Sequence, residues 1–175
     1  MLTTRILRKV VRTWPQLAAA VLAILMTSVP ATANEGKTIV FVCLHGVVNS
    51  QMAAAYFNRA AQERGLPYTA VSRGIDLFRS VPVRIQDGLA LDGLAPANTP
   101  QQLTVDDAAA ASLVVAFDQV PAERRGPAGV AYWSGIPLGI DDYEATRDQI
   151  VRRIDALIPT LADETAGQQA RAPTR

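Results

Sequence analysis

Hydrophobic and polar positions fall into alternating blocks along the chain, and four short apolar blocks have the composition of β-strands. The first, residues 38–42, is continuous and β-branched, which is typical of a strand buried on both faces of a parallel sheet. Three further apolar blocks predict strands at residues 68–72, 112–117 and 130–133. The core is therefore expected to form around four strands.

Helical periodicity fills the longest intervals between and after these strands. Residues 51–64 place apolar side chains at spacings of three and four, and Gly65 is expected to end this helix in the C′ position. The same spacing predicts a last helix that begins at Asp141 or Asp142 and runs to about Ala162. Both helices are expected to pack one apolar face against the sheet.

Local start signals predict two shorter helices. Pro82 precedes a helix over residues 83–91, and Thr104 with Asp107 forms the outline of a capping box before an alanine-rich helix. Alternating strands and helices favour parallel strands joined by right-handed crossovers. The predicted fold class is α/β: a three-layer sandwich with a four-stranded parallel sheet and helices on both faces.

One strand–loop–helix unit carries the candidate chemistry. Cys43, the only cysteine, directly follows the first strand, residues 44–49 form a loop, and Ser50 is the expected N-cap of the next helix. Free N–H groups and the dipole at a helix start favour bound anions and the thiolate form of a nearby cysteine. Ligands of such sheets bind at the carboxyl ends of the strands, where Arg73 and Asp118 are also predicted.

This stretch resembles the low-molecular-weight protein tyrosine phosphatases and the arsenate reductases that share their fold. Both carry a cysteine, five residues and then Arg-Ser or Arg-Thr; Cys43 and Ser50 occupy the first and last of these positions, and Asn49 replaces the arginine. The continuation Ser-Gln-Met-Ala is most similar to the arsenate reductase branch. Residues 72–74 keep two of the three residues of the family's Ser-Ala-Gly strand end. The resemblance covers residues 38–162 and implies a four-stranded parallel sheet.

The resemblance also implies roles for residues of the loop. Cys43 is the implied nucleophile that attacks phosphorus, and the Ser50 hydroxyl is the implied hydrogen-bond partner of its thiolate. The N–H groups of the loop are the implied oxyanion-binding groups, and they need no particular side chains. These groups belong to Leu44, His45, Gly46, Val47, Val48, Asn49 and Ser50.

The family's arginine has no obvious replacement. Asn49 lacks the charge and the planar fork by which arginine binds two phosphate oxygens. His45, if protonated, and Arg73 or Arg79 from neighbouring loops are candidates to supply the missing positive charge. The loop is thus recognisable and degenerate at the same time.

The general acid of the family is also displaced. The family has an Asp-Pro pair in a late loop, whereas Ile136 precedes Pro137 here. Asp141 or Asp142 is the candidate acid from farther along the chain. The alternative interpretation of both aspartates is the cap and first turn of the last helix, where acidic residues stabilise the N-terminus.

Composition excludes several classes of site. The chain has one cysteine and one histidine, fewer than the three or four ligands of zinc sites, so no metal is predicted. No glycine-rich nucleotide fingerprint is present, and no cofactor is predicted. Without residues 1–33, which hold four basic residues and no acidic one, 13 basic and 16 acidic residues remain. That balance does not favour nucleic acid as a partner.

The N-terminal region has the pattern of a secretory signal peptide. A basic segment over residues 5–12 precedes the apolar residues 17–26 and the small-residue site Ala31-Thr32-Ala33. Cleavage after Ala33 is expected to give a periplasmic protein without membrane contact; the alternative is an uncleaved N-terminal membrane anchor. The phosphatase-like domain is then expected over residues 34–163, followed by a disordered tail over residues 164–175.

Three functional hypotheses follow. The first is a phosphatase-like protein with weak or no phosphatase activity that acts by binding phosphate or another oxyanion-bearing ligand, or a protein partner. The second is an active cysteine-dependent phosphatase. The third is a redox-active thiol or an arsenate reductase-like protein that uses an external thiol, because the internal thiol relay needs more cysteines than Cys43.

Overall fold

The apolar runs form a four-stranded, all-parallel sheet with the order β2-β1-β3-β4 in the computed structural model, which describes residues 37–171. Strand β1 lies in the interior of the sheet, where residues 39–42 are fully buried because both faces of the sheet are covered. The predicted parallel sheet is therefore confirmed. The strands are β1 (Lys37–Cys43), β2 (Tyr68–Gly74), β3 (Leu113–Ala116) and β4 (Ala131–Tyr132).

Helices cover both faces of the sheet. Alternate residues of β1 enter two separate hydrophobic clusters: Ile39 and Phe41 pack with α1, α2 and α4, whereas Val40 and Val42 pack with α3. This division confirms the predicted three layers. The helices are α1 (Asn49–Glu63), α2 (Val83–Leu91), α3 (Val105–Ala110) and α4 (Tyr143–Arg171), with a 3₁₀ turn at Ala122–Arg124.

Helix α1 is capped differently at its two ends. At its C-terminal end, Gly65 adopts a positive φ of 62° and Leu66 N donates to the Ala61 carbonyl, as predicted for a C′ glycine. At its start, Val48 occupies the N-cap position and makes no side-chain cap bond. The prediction of Ser50 as N-cap is wrong, because its hydroxyl bonds to Cys43 and Ser72 from within the helix.

The two short helices follow their sequence signals. Helix α2 begins after Pro82 and covers the predicted residues 83–91. The capping box before α3 is complete: Asp107 N donates to Thr104 Oγ1, and Thr104 N donates to the Asp107 carboxylate. Local capping chemistry is therefore sufficient to place both helix starts.

Helix α4 is longer than its sequence pattern predicts. It continues through residues 164–171, so the expectation of a disordered tail is wrong for those residues. Five of these eight residues are alanine, glutamine or glutamate, which carry high helix propensity, and the side chains of all five are exposed. The predicted signal peptide and residues 172–175 lie outside the described residues. Within residues 37–171, every helix is too short or too polar to cross a bilayer.

Candidate functional site

A chain of hydroxyl groups leads to the buried thiol at the end of β1. The sulfur of Cys43 lies 2.9 Å from the hydroxyl oxygen of Ser50, and the Ser72 hydroxyl donates to Ser50 at 2.8 Å. Because Ser72 supplies a proton to the Ser50 oxygen, the Ser50 proton is left to point at the sulfur. The Ser50 hydroxyl is thereby oriented to donate a hydrogen bond to the Cys43 sulfur.

Two glycines let the loop approach the sheet edge closely. Gly46 has a φ of 68°, and a Cβ atom placed on it would lie 2.7 Å from the backbone N of Gly74. A Cβ atom on Gly74 would in turn lie 2.9 Å from Gly46 N. The Cys43 loop is thus seated on the end of β2 with no room for a side chain between the two backbones.

Gln51 and Asn98 support this loop through hydrogen bonds, and the sequence analysis missed both. Gln51 is fully buried in α1 and donates to the carbonyl oxygens of Gly46 and Asn98, at 3.3 and 2.9 Å. Asn98 accepts a hydrogen bond from Ser72 N at 2.8 Å and donates to the Ser72 carbonyl. The only sequence signal for this network is a glutamine in the first turn of a helix that is otherwise rich in alanine.

Most N–H groups of the loop are free. Within the described part of the chain, no acceptor is found for the amides of residues 45–50. The Leu44 amide differs, since it donates to Asp118 Oδ2 at 2.7 Å. Buried backbone donors are almost always paired in proteins, so the free amides of this buried loop are suited to a bound acceptor.

The side chain of Asn49 is held by residues 136–139, the segment that crosses the loop. Its Nδ2 donates to the Pro137 carbonyl at 2.9 Å, and its Oδ1 accepts from Gly139 N at 3.0 Å. Asn49 is 4% exposed. In the position of the family's arginine, the chain therefore carries a neutral group whose carbonyl and one N–H bind protein backbone.

Cys43, its loop and nearby residues from β3 onward line a cavity of about 330 Å³, a size suited to a small ligand. Its walls are mostly apolar, and its ionisable members besides the thiol are His45 and Asp118. His45 Nδ1 donates to the Asp76 carbonyl at 2.8 Å, and its ring stacks on Phe78 with centroids 3.8 Å apart. The lining residues are Cys43, Leu44, His45, Val48, Asn49, Phe117, Asp118, Ile136 and Leu138.

The two aspartates predicted as candidate acids lie elsewhere. Asp142 Oδ1 accepts from Ala145 N at 3.0 Å and so caps α4, and Asp142 lines a separate cavity beside α2. Asp141 is exposed and is not among the residues that line the Cys43 cavity. The carboxylate in that cavity belongs to Asp118, which follows the end of β3. The sequence placed Asp118 at a strand end but indicated no role for it.

Arg73, one candidate for the missing cation, is committed to another group. Its guanidinium pairs with Asp107 at 2.8 Å, in the capping box of α3. Burial alone raises the pKa of Asp107, but hydrogen bonds from Arg73 and Thr104 outweigh burial and hold the pKa below its usual value. The ion pair therefore ties the end of β2 to α3 beside the loop.

This ion pair is expected to make stability depend on pH. A carboxylate whose pKa is lowered by folding stabilises the protein above its unfolded-state pKa of about 3.9, and this contribution is lost as the pH falls through the folded-state pKa. Asp107→Asn should lower the free energy of unfolding near neutral pH, and the difference from the natural chain should shrink toward about pH 2. Urea unfolding of both proteins at a series of pH values measures this difference in the free energy of unfolding.

Asp106→Asn is the matched control, because Asp106 is an exposed carboxylate in the same first turn of α3. It should change the free energy of unfolding less than Asp107→Asn at neutral pH. Equal pH dependence in the natural chain and in Asp107→Asn would show that the Arg73 pair contributes nothing.

Among residues 37–171, no group of three or more histidine, cysteine, aspartate or glutamate side chains is arranged to hold a metal ion.

The family model described as "Low molecular weight phosphotyrosine protein phosphatase" matches residues 38–130, which include the Cys43 loop and end before the segment that crosses it. Among curated proteins, comparison of sequences finds no match.

Solved structures with the same fold include phosphatases and a reductase. The Bacillus subtilis YwlE arginine phosphatase has 22% identity and a TM-score of 0.64, over 71% of this chain and 95% of its own. A Bacillus subtilis low molecular weight protein tyrosine phosphatase has 22% identity and a TM-score of 0.60, over 73% and 99%. A Corynebacterium glutamicum thioredoxin-dependent arsenate reductase has 19% and 0.63, over 73% and 63%. These similarities establish the fold.

Proposed function

Because the chain belongs to the low molecular weight phosphotyrosine protein phosphatase family, we propose that its Cys43 loop binds an oxyanion-bearing ligand with weak or no phosphatase activity. The family binds phosphate at this loop, and the free amides of residues 45–50 are groups of the kind that bind oxyanions. We also propose that the protein is exported, because residues 1–33 have the sequence pattern of a signal peptide.

The observation that carries the proposal is the hydrogen bonding of Asn49. Its side chain is a neutral amide that binds the backbone at Pro137 and Gly139, so it supplies no charge to the cavity and one fewer free donor. Removing one preorganised donor from a transition state costs roughly 10²–10³ in rate. The loss of a charged, two-pronged donor belongs at the upper end of that range or beyond it, because bidentate charged hydrogen bonds are the stronger ones.

A second candidate function, an active cysteine-dependent phosphatase, is favoured by the contact of Cys43 with Ser50. In that reaction the Cys43 sulfur bonds to phosphorus as the P–O ester bond breaks, and an acid gives its proton to the departing oxygen. Water then cleaves the S–P bond and releases phosphate. Asp118 is the carboxyl group that lines the same cavity and would supply the proton.

Hydrolysis of a small aryl phosphate across about pH 4–8 tests the choice between the two functions. The full chain and Cys43→Ser are expected to show nearly the same background rate, because the neutral Asn49 brings no positive charge to the transition state. The aryl phosphate, at millimolar concentration, is nevertheless expected to shift the amide NMR signals of residues 44–50 in both proteins.

Turnover above about 1 per second that disappears in Cys43→Ser would establish the phosphatase and overturn the binding function. Loop signals that stay unshifted by the aryl phosphate both at about pH 4, where it carries one charge, and at about pH 8, where it carries two, would contradict oxyanion binding itself. Signals of α4 residues far from the loop serve as the internal reference in the same spectra.

A further inference from the structure

We propose that the Cys43 cavity selects singly charged oxyanions that carry an apolar group, and that the carboxylate of Asp118 disfavours doubly charged ones. This inference rests on the proposed oxyanion-binding function and names the class of ligand. It follows from three observations: a carboxylate at the edge of the cavity, the contacts that hold Arg73 and Arg124 elsewhere, and the apolar walls.

The carboxylate of Asp118 lines the solvent-exposed edge of the site. Its Oδ2 accepts from the Leu44 amide at 2.7 Å, on the first N–H group after the nucleophile position of Cys43. A ligand bound to the remaining loop amides shares the cavity with this negative charge. Coulomb repulsion is proportional to the charge of the ligand, so a second negative charge doubles the penalty.

The cavity offers no arginine or lysine to offset that charge among its described lining residues. Arg73 pairs with Asp107, and Arg124 donates to the Ile75 carbonyl at 2.9 Å. His45 is the one basic side chain in the lining, and its Nδ1 is bound to a backbone carbonyl. The loop therefore offers a ligand mainly neutral N–H donors, which are matched to one charge better than to two.

The walls of the cavity provide an apolar surface next to these donors. Ile136 and Leu138 come from the segment that Asn49 holds across the loop, and Leu44, Val48 and Phe117 complete the surface. Leu44 and Leu138 remain 43% and 49% exposed, so a ligand that carries an apolar group has surface to bury. The favoured class includes aryl or alkyl sulfonates, sulfate monoesters and phosphodiesters.

Two ligands of nearly equal shape and different charge test this inference. At about pH 8.5, benzenesulfonate carries one negative charge and phenylphosphonate carries two. We expect the full chain to bind benzenesulfonate about tenfold or more tightly than phenylphosphonate, as measured by the shifts of the amide signals of residues 44–50. The comparison within the natural chain requires no variant.

Asp118→Asn tests whether the charge of Asp118 causes this selection. Asparagine keeps an oxygen that can accept from Leu44 N but removes the negative charge. It should raise the affinity for phenylphosphonate about tenfold and narrow the preference for benzenesulfonate. Asp163→Asn is the matched control: it removes one exposed carboxylate from α4 and should leave both affinities unchanged.

Each outcome bears on the inference. Equal or tighter binding of phenylphosphonate by the natural chain overturns the charge selection and leaves the oxyanion-binding function in place. An unchanged affinity ratio in Asp118→Asn overturns the role of Asp118. If neither ligand shifts the loop signals, the proposed function and this inference fall together.

Discussion

Gly46→Ala is expected to destabilise the protein by about 2–5 kcal/mol, a large part of the 5–15 kcal/mol that holds a typical domain folded. Two costs add at this position. An alanine with a φ near 68° is strained by about 1–2 kcal/mol, and its Cβ atom would meet Gly74 N at 2.7 Å. Backbone must move to relieve that contact, at a further cost of about 1–3 kcal/mol. Urea unfolding measures the sum.

Two other glycines separate these costs. Gly65 has a φ of 62°, and a Cβ atom added there would meet nothing within 4 Å, so Gly65→Ala carries the strain alone. Gly74 lacks a positive φ but would place its Cβ atom 2.9 Å from Gly46 N, so Gly74→Ala carries the steric contact alone. If Gly46→Ala lowers the free energy of unfolding no more than Gly65→Ala does, the loop moves away from Gly74 at no measurable cost.

The sequence predicts the elements that local patterns determine. The β-branched run of β1, the proline before α2 and the capping box of α3 each act over a few residues, so they can be recognised without the fold. The contact of Gly46 with Gly74 is different. It depends on the pairing of β1 with β2, which aligns Cys43 with Gly74.

The residues of the site that the sequence left without a role act across the sheet. Asp118 reaches Leu44 because β3 pairs beside β1, and Asn98 reaches Ser72 from a loop far along the chain. Ser50 illustrates a competing use of one hydroxyl. Cap chemistry favours a bond from the helix backbone to this oxygen, but Ser50 lies inside the first turn of α1, where its hydroxyl bonds to the Cys43 sulfur at 2.9 Å. Such choices are decided by tertiary contacts.

Asn49→Ala is expected to destabilise the protein by about 2–3 kcal/mol and to release the segment that crosses the loop. The variant leaves the buried amide of Gly139 without its acceptor, and an orphaned buried donor costs about 1–3 kcal/mol. The Pro137 carbonyl keeps one partner, the hydroxyl of Thr146 at 3.1 Å, whose proton is shared with the Asp142 carbonyl at 2.7 Å. Hydrogen exchange at the Gly139 amide should become much faster in the variant.

Thr146→Val is the matched control, because it removes the second donor to Pro137 and leaves Asn49 in place. It should cost about 0.5–1.5 kcal/mol and keep Gly139 protected. Unchanged protection of Gly139 in Asn49→Ala would show that packing alone holds this segment.

The shared carbonyl of Pro137 also makes the site and α4 thermodynamically coupled. Asn49 at the start of α1 donates to it, and the Thr146 hydroxyl in the first turn of α4 shares its proton between this carbonyl and the carbonyl of Asp142. A ligand that stabilises this segment in its position across the loop must therefore also favour an ordered first turn of α4. Because such coupling is reciprocal, a molecule that binds the start of α4 and distorts it would weaken ligand binding at Cys43 by the same factor.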